Sequence, residues 1–298
     1  MSDSLRVRAP AKVNLFLRVL ARREDGFHDV ETLFQAIDLC DVVGVGLAGE
    51  GVELDVRGPE PCPPEENLAF RAADGFRRRF SLEPGVRVRL EKRIPAGAGL
   101  GGGSSDAAAV LRCLAALSGV EPGSPRLRSL AEELGSDVPF FLGGSALAFG
   151  TGRGEVLEPL SPLPTRWVVL STPPVHVSTG EAFESLSRPT AQRAVSVSTA
   201  ETLPTSWDEL LLQVGNDFQD VVAGAHPSVA KSLTALERVG ASGVSLSGSG
   251  AASFGLFDSG SEAKEVADRL SEQLGWPFIA AETLSELPEP YEESAPEP

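Results

Sequence analysis

The sequence predicts an α+β protein of two domains, and three observations support this class. The 298 residues exceed the ~150 residues that one domain commonly takes. Strand-like and helix-like periodicities are mixed along the chain. A proline-rich stretch at 161–164 separates the two halves. We therefore predict an N-terminal α/β domain at 1–160, a C-terminal α+β sandwich at 161–285, and an acidic, proline-rich, disordered tail at 286–298.

The first domain is predicted from its apolar patterns. Alternating apolar residues predict strands, and apolar residues at helical spacing predict helices. The strands are expected at 5–8, 13–19, 42–47 and 86–90, and the helices at 68–80, 107–118 and 127–134. Gly135 ends the last helix, and Ser136 and Asp137 before Pro139 are typical of the start of another short helix.

The second domain is predicted to open with a strand at 167–171. A segment rich in Ser, Thr, Ala and Pro at 187–205 predicts a surface loop. Two helices and two strands follow, in an order that suggests a small sandwich. They are expected at 229–239, 244–247, 253–257 and 262–274.

Composition and charge narrow the class of protein. A net charge of −16 argues against nucleic acid or an anionic membrane as partner, because such binding needs clustered Lys and Arg. No apolar run approaches the ~20 residues of a membrane span, and residues 1–6 lack the apolar region of a secretory signal. The three cysteines are far apart, which indicates reduced thiols rather than a disulfide framework or zinc site. We expect a cytoplasmic protein.

The segment 94–109 carries the most chemical information. It places five glycines and two serines between a predicted strand and a predicted helix. Glycine lets the backbone approach a ligand closely and adopt positive φ. The free amides and positive dipole end of the following helix favour an anion. This loop is therefore expected to hold the phosphates of a nucleotide.

Two other phosphate loops must be weighed against this segment. Gly97, Gly99 and Gly102 satisfy G-x-G-x-x-G, the dinucleotide fingerprint. That fingerprint expects an acid at the end of the next strand about 20 residues on, whereas 119–125 is turn-like. A Walker A loop is excluded, because no G-x-x-x-x-G-K-[S/T] occurs. A dinucleotide-dependent oxidoreductase is thus a weak alternative.

The complete pattern at 95–109, P-x-G-x-G-L-G-G-G-S-S-D-A-A-A, resembles the second motif of the GHMP kinases. Two further motifs occur in the family's order, P-A-K-V-N-L-F-L at 10–17 and L-S-G-S-G-A-A at 246–252. The resemblance extends from about residue 5 to residue 282. It implies a GHMP kinase architecture, with a nucleotide-binding N-terminal domain, a ferredoxin-like C-terminal domain and an active site in the cleft between them.

Within the family, four segments resemble the kinases that act on a cytidine-diphosphate-linked methylerythritol. These segments are 11–15, 25–28, 32–34 and 135–141. The resemblance implies transfer of the γ-phosphoryl of ATP, with Mg²⁺, to the 2-hydroxyl of 4-diphosphocytidyl-2-C-methyl-D-erythritol, a step of the non-mevalonate isoprenoid pathway. It further implies a monomer or weak homodimer.

By the same resemblance, Asp137 is the base that accepts the hydroxyl proton, and Lys12 keeps Asp137 ionised and stabilises developing charge. Phosphoryl transfer needs such positioning and charge neutralisation more than covalent chemistry. Local sequence alone also allows Asp137 to be a helix cap and Lys12 to be a surface charge. Both roles of Asp137 are compatible, because a capping carboxylate keeps one oxygen free.

The nucleotide site implied by the resemblance includes the loop and two flanking residues. Ser104 and Ser105 are expected to contact phosphates or Mg²⁺, or to cap the helix that follows. Asn67 is expected near the adenine, or as another cap, and Lys92 near the phosphates. No residue is assigned as a metal ligand. The predicted nucleotide-binding residues are Asn67, Lys92, Pro95, Ala96, Gly97, Ala98, Gly99, Leu100, Gly101, Gly102, Gly103, Ser104 and Ser105.

The substrate site implied by the resemblance lies at the cytidine end. Phe27 is expected to stack on cytosine and His28 to bond its edge, although a lone histidine is more often structural. Thr179 and Phe183 would close the opposite side, unless Phe183 is a core residue. The predicted substrate-binding residues are Asn14, Phe27, His28, Asp137, Thr179, Phe183, Gly248 and Ser249.

Two functional readings compete with this one, besides the oxidoreductase. The nearest is another GHMP kinase, of the homoserine or mevalonate type, against which the segments 25–28 and 31–34 argue. A non-catalytic sensor of nucleotide or sugar is expected to lose the base or the lysine, and both are present. From glycine chemistry alone, the segment 248–250 is equally a tight turn.

Overall fold

A computed structural model of the chain describes residues 4–58, 62–186 and 203–292. Its first sheet is built on two long antiparallel strands, β1 (Ser4–Arg22) and β2 (His28–Leu47). Register shifts after Pro10 and Asn14 bend this pair while keeping it hydrogen-bonded. The strand segments predicted at 5–8 and 13–19 are therefore one bent strand.

Six further strands complete this sheet around the long pair. The path runs β12-β1-β2-β4-β3, while β5 pairs with β2 and β6, and β8 pairs with β1. These strands are β3 (Val52–Arg57), β4 (Val86–Glu91), β5 (Leu147–Thr151), β6 (Val156–Pro159), β8 (Gly215–Asn216) and β12 (Tyr291–Glu292).

Four α-helices accompany the first sheet and share one apolar core with it. The central one, α2, begins four residues before Asp106 and is flanked by left-handed glycines, Gly101 and Gly119. Such glycines give the backbone the positive φ at each end without a Cβ clash. The helices are α1 (Leu68–Phe80), α2 (Gly102–Ser118), α3 (Pro125–Leu134) and α4 (Val138–Leu142), with one 3₁₀ turn at Pro64–Glu66.

The second sheet has four antiparallel strands in the order β11-β7-β10-β9. Two helices, α8 and α9, pack on one face and give the strand and helix order β-α-β-β-α-β. The ferredoxin-like prediction is therefore confirmed. The elements are β7 (Trp167–Ser171), α8 (Pro227–Arg238), β9 (Val244–Leu246), β10 (Ser253–Phe257), α9 (Gly260–Leu274) and β11 (Phe278–Glu282).

Among the residues that the structure describes between β7 and α8, three short helices occur, namely α5 (Thr179–Ser185), α6 (Trp207–Leu211) and α7 (Gln219–Ala225). Most of the predicted surface loop, residues 187–202, lies outside the described residues. None of the helices in the described ranges is long and apolar enough to cross a membrane.

The two sheets share a buried core. Val13 and Leu15 of β1 lie in one apolar cluster with Leu170 of β7 and Phe254 of β10. This shared core holds the two glycine-rich segments, 97–103 and 248–250, close to each other.

The C-terminal segment differs from the predicted tail. Residues 286–292 return to the first sheet, where Leu287 is buried and Tyr291 pairs with Arg6. Arg112 of α2 also binds Glu289. The segment 286–292 is not a disordered tail, because its apolar and charged groups contact the first domain. Residues 293–298 lie outside the described residues. We propose the domains 1–160 and 161–285, with 286–292 packed on the first.

Candidate active site

The loop between β4 and α2 forms one wall of a cleft of about 320 Å³. Its glycines Gly97, Gly99 and Gly101 have φ between 66° and 79°. A Cβ on Gly99 would lie 2.2 Å from the carbonyl oxygen of Ser247. Both this clash and the positive φ exclude a side chain at that position. All residues from Pro95 to Ser104 line the cleft, together with Val56, Cys62, Glu66, Asn67, Leu68, Lys92, Ile94 and Asp106.

The first turn of α2 differs from the sequence prediction. Because α2 begins at Gly102, Ser104 and Ser105 lie inside the helix and neither is its cap. Ser104 lines the cleft. Ser105 is buried, and its hydroxyl has no hydrogen-bond partner among the described residues. Asn67 does cap α1, since its Oδ1 accepts from the amide of Ala69 at 2.9 Å.

The glycine-rich segment of the second domain lies directly on this loop. The Ser247 hydroxyl donates to the Gly99 carbonyl at 3.0 Å, and the Ala252 amide donates to the Ala98 carbonyl at 3.0 Å. The Gly250 amide also donates to the Ser247 carbonyl at 3.0 Å. The segment 248–250 is therefore a tight turn, and the residues around it contact the glycine loop; the substrate contact of Gly248 and Ser249 stays a prediction.

Lys12 lies beneath these loops and is 3% exposed. Its Nζ donates to Asn14 Oδ1 at 2.6 Å, and its backbone amide donates to the Leu100 carbonyl at 3.0 Å. Its Nζ is 3.6 Å from Asp137 Oδ2, an ion-pair contact longer than a hydrogen bond. Burial lowers the pKa of Lys12, and the nearby Asp137 opposes this shift only in part. Lys12 is thus a buried cation rather than a surface charge.

Asp137 lies at the start of α4 but does not cap it. Its backbone is helical, at φ −85° and ψ −14°, and its side chain makes no capping hydrogen bond. The carboxylate is 27% exposed and faces the ammonium of Lys12. The capping alternative is therefore wrong, because the side chain points to Lys12 and solvent instead of to helix amides.

Asn14 is the link between Lys12 and the second domain. Its Oδ1 accepts from Lys12 and also from the Gly248 amide at 2.9 Å, while its Nδ2 donates to Thr32 Oγ1 at 2.7 Å. Thr32 in turn donates to the Phe16 carbonyl. This chain of bonds fixes the lysine relative to both loops.

The residues predicted at the cytidine end come from both domains. The His28 ring stacks on Phe183, with 4.8 Å between ring centroids. Phe27 is 55% exposed, and the Arg153 guanidinium lies 5.1 Å from its ring centroid. Elsewhere in this region, the hydroxyls of Thr179 and Ser249 are hydrogen-bonded at 2.8 Å. The structure brings His28 and Phe183 together, while the Phe27 ring packs on Arg153.

Sequence reasoning missed several residues here. Lys92 was expected beside the phosphates, but its ammonium is held by Asp41 and Asp106, neither of which was predicted. The available signal was an acidic residue in an apolar strand and another in an alanine-rich helix. The sequence gives His176 no recognisable partner, yet its Nδ1 lies 3.2 Å from the position of a Cβ on Gly97. Arg153 carried no signal, because its partner is distant in sequence.

Metal-binding potential is limited to a few oxygen donors. The described ranges contain no group of three or more His, Cys, Asp or Glu side chains that fits a metal ion. All three cysteines are free. A Mg²⁺ ion that keeps waters and phosphate oxygens needs only one or two protein oxygens.

A cleft lined by one glycine loop, with a second glycine segment and a lysine–aspartate pair in contact with that loop, is typical of a small-molecule kinase site. Family models agree with this assignment: the GHMP kinases N terminal domain matches residues 67–145, and the GHMP kinases C terminal domain matches residues 201–275. The chain belongs to the GHMP kinase family, which confirms the prediction from its motifs.

Two relatives carry the same name. The 4-diphosphocytidyl-2-C-methyl-D-erythritol kinase of Shouchella clausii is 37% identical over 267 residues, or 89% of each chain. The kinase of that name from Solibacter usitatus is 42% identical over 258 residues, covering 84% of this chain and 80% of the relative.

Solved structures agree in fold. A crystal structure of 4-(cytidine 5'-diphospho)-2C-methyl-D-erythritol kinase has a TM-score of 0.74 and 35% identity, covering 93% of this chain and 98% of that one. Homoserine kinase from Cytophaga hutchinsonii has a TM-score of 0.72 at 21% identity, covering 98% of each chain. The second likeness shows the shared fold alone.

Proposed function

We propose that this chain transfers the γ-phosphoryl group of ATP to the 2-hydroxyl of 4-diphosphocytidyl-2-C-methyl-D-erythritol. The observation that carries the proposal is the Lys12–Asp137 pair, 3.6 Å apart, beneath two glycine loops that touch. Relatives of that name at 37% and 42% identity support the substrate.

In this mechanism Asp137 is the base. Its carboxylate is free of helix-capping bonds and partly open to solvent, so an oxygen is available to the substrate hydroxyl. The hydroxyl proton passes to Asp137 as the hydroxyl oxygen bonds to the γ-phosphorus, and the bond to the β-phosphate oxygen breaks to release ADP. A base of this kind commonly contributes ~10²–10⁴-fold to the rate.

Lys12 supplies positive charge next to the base. Its buried ammonium is held by Asn14 and faces Asp137 at 3.6 Å, so a positive charge lies directly beside the base. It also lies where negative charge spreads over the transferring group, in a site with little water. Since burial lowers the pKa of Lys12, the residue is expected to lose its proton more readily than an ordinary lysine.

The glycine loop holds the nucleotide in the same mechanism. Its backbone approaches the cleft without side chains, and the α2 N-terminus favours phosphate. We propose that Asn67 and Leu68 border the adenine, at the end of the cleft where Val56 also lies. The Asn67 cap does not conflict with this role, because capping uses only Oδ1.

Mg²⁺ is proposed to arrive with ATP. When bound, it neutralises charge on the phosphate oxygens. Ser105 fits it as a protein donor, because this buried hydroxyl beside the loop lacks a hydrogen-bond partner among the described residues. The expectations of a cytoplasmic location and of a monomer or weak homodimer stay predictions.

The cytidine end is proposed to use aromatic and polar groups from both domains. Phe27 offers an exposed ring face for cytosine, and His28 and Phe183 stand as a preformed aromatic pair. Thr179 and Ser249 lie together, with their hydroxyls hydrogen-bonded at 2.8 Å. Stacking on an aromatic ring contributes ~1–3 kcal/mol per base in single-strand binding, and a similar term is expected here.

The test is release of ADP with ATP and Mg²⁺, comparing the cytidine compound with homoserine, mevalonate and no acceptor. We expect turnover with the cytidine compound alone, and its loss in Asp137→Asn. Asp268→Asn changes an exposed carboxylate on α9. It serves as the matched control and should keep full activity. Turnover with homoserine or mevalonate instead would contradict the substrate, and ATP binding without any turnover would favour the sensor reading.

A further inference from the structure

A buried cluster of three charged groups lies beside the nucleotide cleft and takes no part in the mechanism above. The Lys92 ammonium binds Asp41 Oδ2 and also Asp106 Oδ2, the latter at 2.7 Å. The side chains of Lys92, Asp41 and Asp106 are 9%, 0% and 3% exposed. One buried cation is thus shared by two buried carboxylates.

The cluster joins both ends of the glycine loop to the sheet. Asp41 lies in β2, Lys92 directly after β4, and Asp106 in α2. Asp41 Oδ1 also accepts from the backbone amides of Arg93 and Ile94, where the loop begins. Asp41 therefore fixes the entrance of the loop, and Asp106 fixes the helix at its exit.

Packing around Lys92 leaves little freedom to this arrangement. A Cβ on Gly102 would lie 3.5 Å from Lys92 Nζ and 2.9 Å from Ile94 Cγ2. The first residue of α2 thus rests on the lysine and on the loop entrance. A shift of the ammonium would move the helix end that carries the phosphate-binding amides.

The charges explain why Lys92 stays in place. Burial alone would lower the pKa of Lys92, but Asp106 and Asp41 outweigh it and raise that pKa. Burial raises the pKa of Asp106, and Lys92 opposes the shift while Asp41 adds to it. If Lys92 left to bind a phosphate, two buried carboxylates would lose their cation, which is strongly unfavourable.

We propose that Asp41 and Asp106 are positioning residues for nucleotide binding. Acting through Lys92, they hold the entrance and the exit of the loop at a fixed separation, so that its amides are aligned before ATP binds. Such preorganisation increases affinity by reducing the ordering that the ligand must impose. The inference rests on the proposed function only in that the cleft is taken to bind ATP.

One polar atom supports a link to the cleft. Asp106 borders the cleft, and its Oδ1 is buried without a hydrogen-bond partner among the described residues. Buried polar atoms are generally paired in folded proteins. Lys92 therefore holds Asp106 through Oδ2, while Oδ1 has no hydrogen-bond partner among the described residues. Loss of the Asp106 charge is expected to loosen the exit of the glycine loop first.

The test compares Asp106→Asn with Asp74→Asn, which removes a partly exposed carboxylate paired with Arg78 on α1; Asp74 does not line the cleft. The ATP affinity of each folded variant is measured by calorimetric titration without acceptor, followed by kcat and both KM values. We expect Asp106→Asn to weaken ATP binding by roughly tenfold, with kcat and the KM of the cytidine compound within about twofold. Asp74→Asn should match the unaltered chain.

Two further outcomes decide the proposal. Asp41→Asn should weaken ATP binding in the same direction, and its combination with Asp106→Asn should be less than additive, because both act through Lys92. An unchanged ATP affinity in folded Asp106→Asn would overturn the proposal. So would a fall in kcat as large as the rise in both KM values. Because affinity is measured without acceptor, a chain that binds ATP but leaves the cytidine compound unphosphorylated would contradict the proposed function and not this one.

Discussion

Two buried lysines contact the same glycine loop, and their surroundings are opposite. Lys12 has one partly exposed carboxylate, Asp137, at 3.6 Å, and burial lowers its pKa. Lys92 is bound by two buried carboxylates, Asp41 and Asp106, which raise its pKa. The two lysines therefore differ in how firmly each is held in the charged form.

This difference separates a group available for chemistry from one that maintains structure. A cation with a single carboxylate nearby, at 3.6 Å, is able to respond when charge develops, whereas a cation shared by two carboxylates is already neutralised. The sequence motifs alone indicated a phosphate contact for Lys92 and an ion pair with the base Asp137 for Lys12. The count and burial of the partners distinguish the two roles.

The largest effect is expected at the Lys12–Asp137 pair. Asp137→Asn should lower kcat by ~10²–10⁴-fold, because the amide cannot accept the hydroxyl proton. The ATP affinity should change little, since Asp137 does not line the nucleotide cleft. Steady-state kinetics with the cytidine compound, together with ATP titration, check both expectations. A variant with normal kcat would remove Asp137 from the role of base.

The second prediction concerns stability. Lys92→Met leaves two buried carboxylates unpaired and should reduce the free energy of unfolding by ~3–5 kcal/mol. Lys12→Met is the matched control, because it removes an equally buried ammonium whose partner Asp137 is 27% exposed and keeps its solvation. We expect a much smaller loss there, measured by urea denaturation. Equal losses in the two variants would show that the clustered carboxylates do not distinguish the lysines.

The sequence predicted the loops and the Lys12–Asp137 pair, but not the surroundings of Lys92. The glycine loop, the second glycine segment and the pair Lys12 and Asp137 were predicted from their motifs, because short backbone-dominated loops leave strong local signals. The strands 167–171 and 253–257 and the helix 68–80 were also predicted, and the structure has them at the same bounds.

The predictions that were wrong concern contacts between residues that are distant in the sequence. The Asp41–Lys92 bond spans 51 positions, and the Lys92–Asp106 bond is made only once α2 packs on the sheet. Local sequence gave Asp137 a capping role that the tertiary pairing with Lys12 replaces. The segment 286–292 read as disordered because its partners lie at the other end of the chain.

A third prediction uses pH to separate the lysines. Since burial lowers the pKa of Lys12, kcat/KM should fall on the alkaline side at a pH below the ordinary lysine value of about 10.4. Lys12→Arg should move this decline to higher pH, because a guanidinium stays protonated. Lys92 has a raised pKa and should add no transition in that range. A decline that persists unchanged in Lys12→Arg would assign it to another group.

The same shift has a consequence for folding. The folded-state pKa of Lys12 lies below its unfolded value, so between the two the unfolded chain binds more protons. Stability from this residue is therefore expected to rise as pH rises through that interval. Comparing the pH dependence of unfolding in the unaltered chain and in Lys12→Met isolates the contribution.

A fourth prediction tests whether the nucleotide and cytidine ends act separately. Phe27→Leu removes the exposed ring that packs on Arg153 and should raise the KM of the cytidine compound by about tenfold, from lost stacking. The ATP affinity should stay unchanged, because Phe27 is not part of the nucleotide cleft. Leu212→Ala, at another exposed apolar side chain, is the control. An unchanged KM would mean that cytosine does not stack on Phe27.

The smallest effect is expected at Asn67, where structure and binding are separable. Asn67→Ala removes the α1 cap and should cost about 1 kcal/mol of stability. Asn67→Asp keeps an oxygen for the Ala69 amide and should retain that stability, but it lacks the amide donor. If both variants weaken ATP binding to a similar extent, the Asn67 NH₂ group contacts the nucleotide. If only Asn67→Ala does, Asn67 resembles Lys92 in acting on the cleft through structure alone.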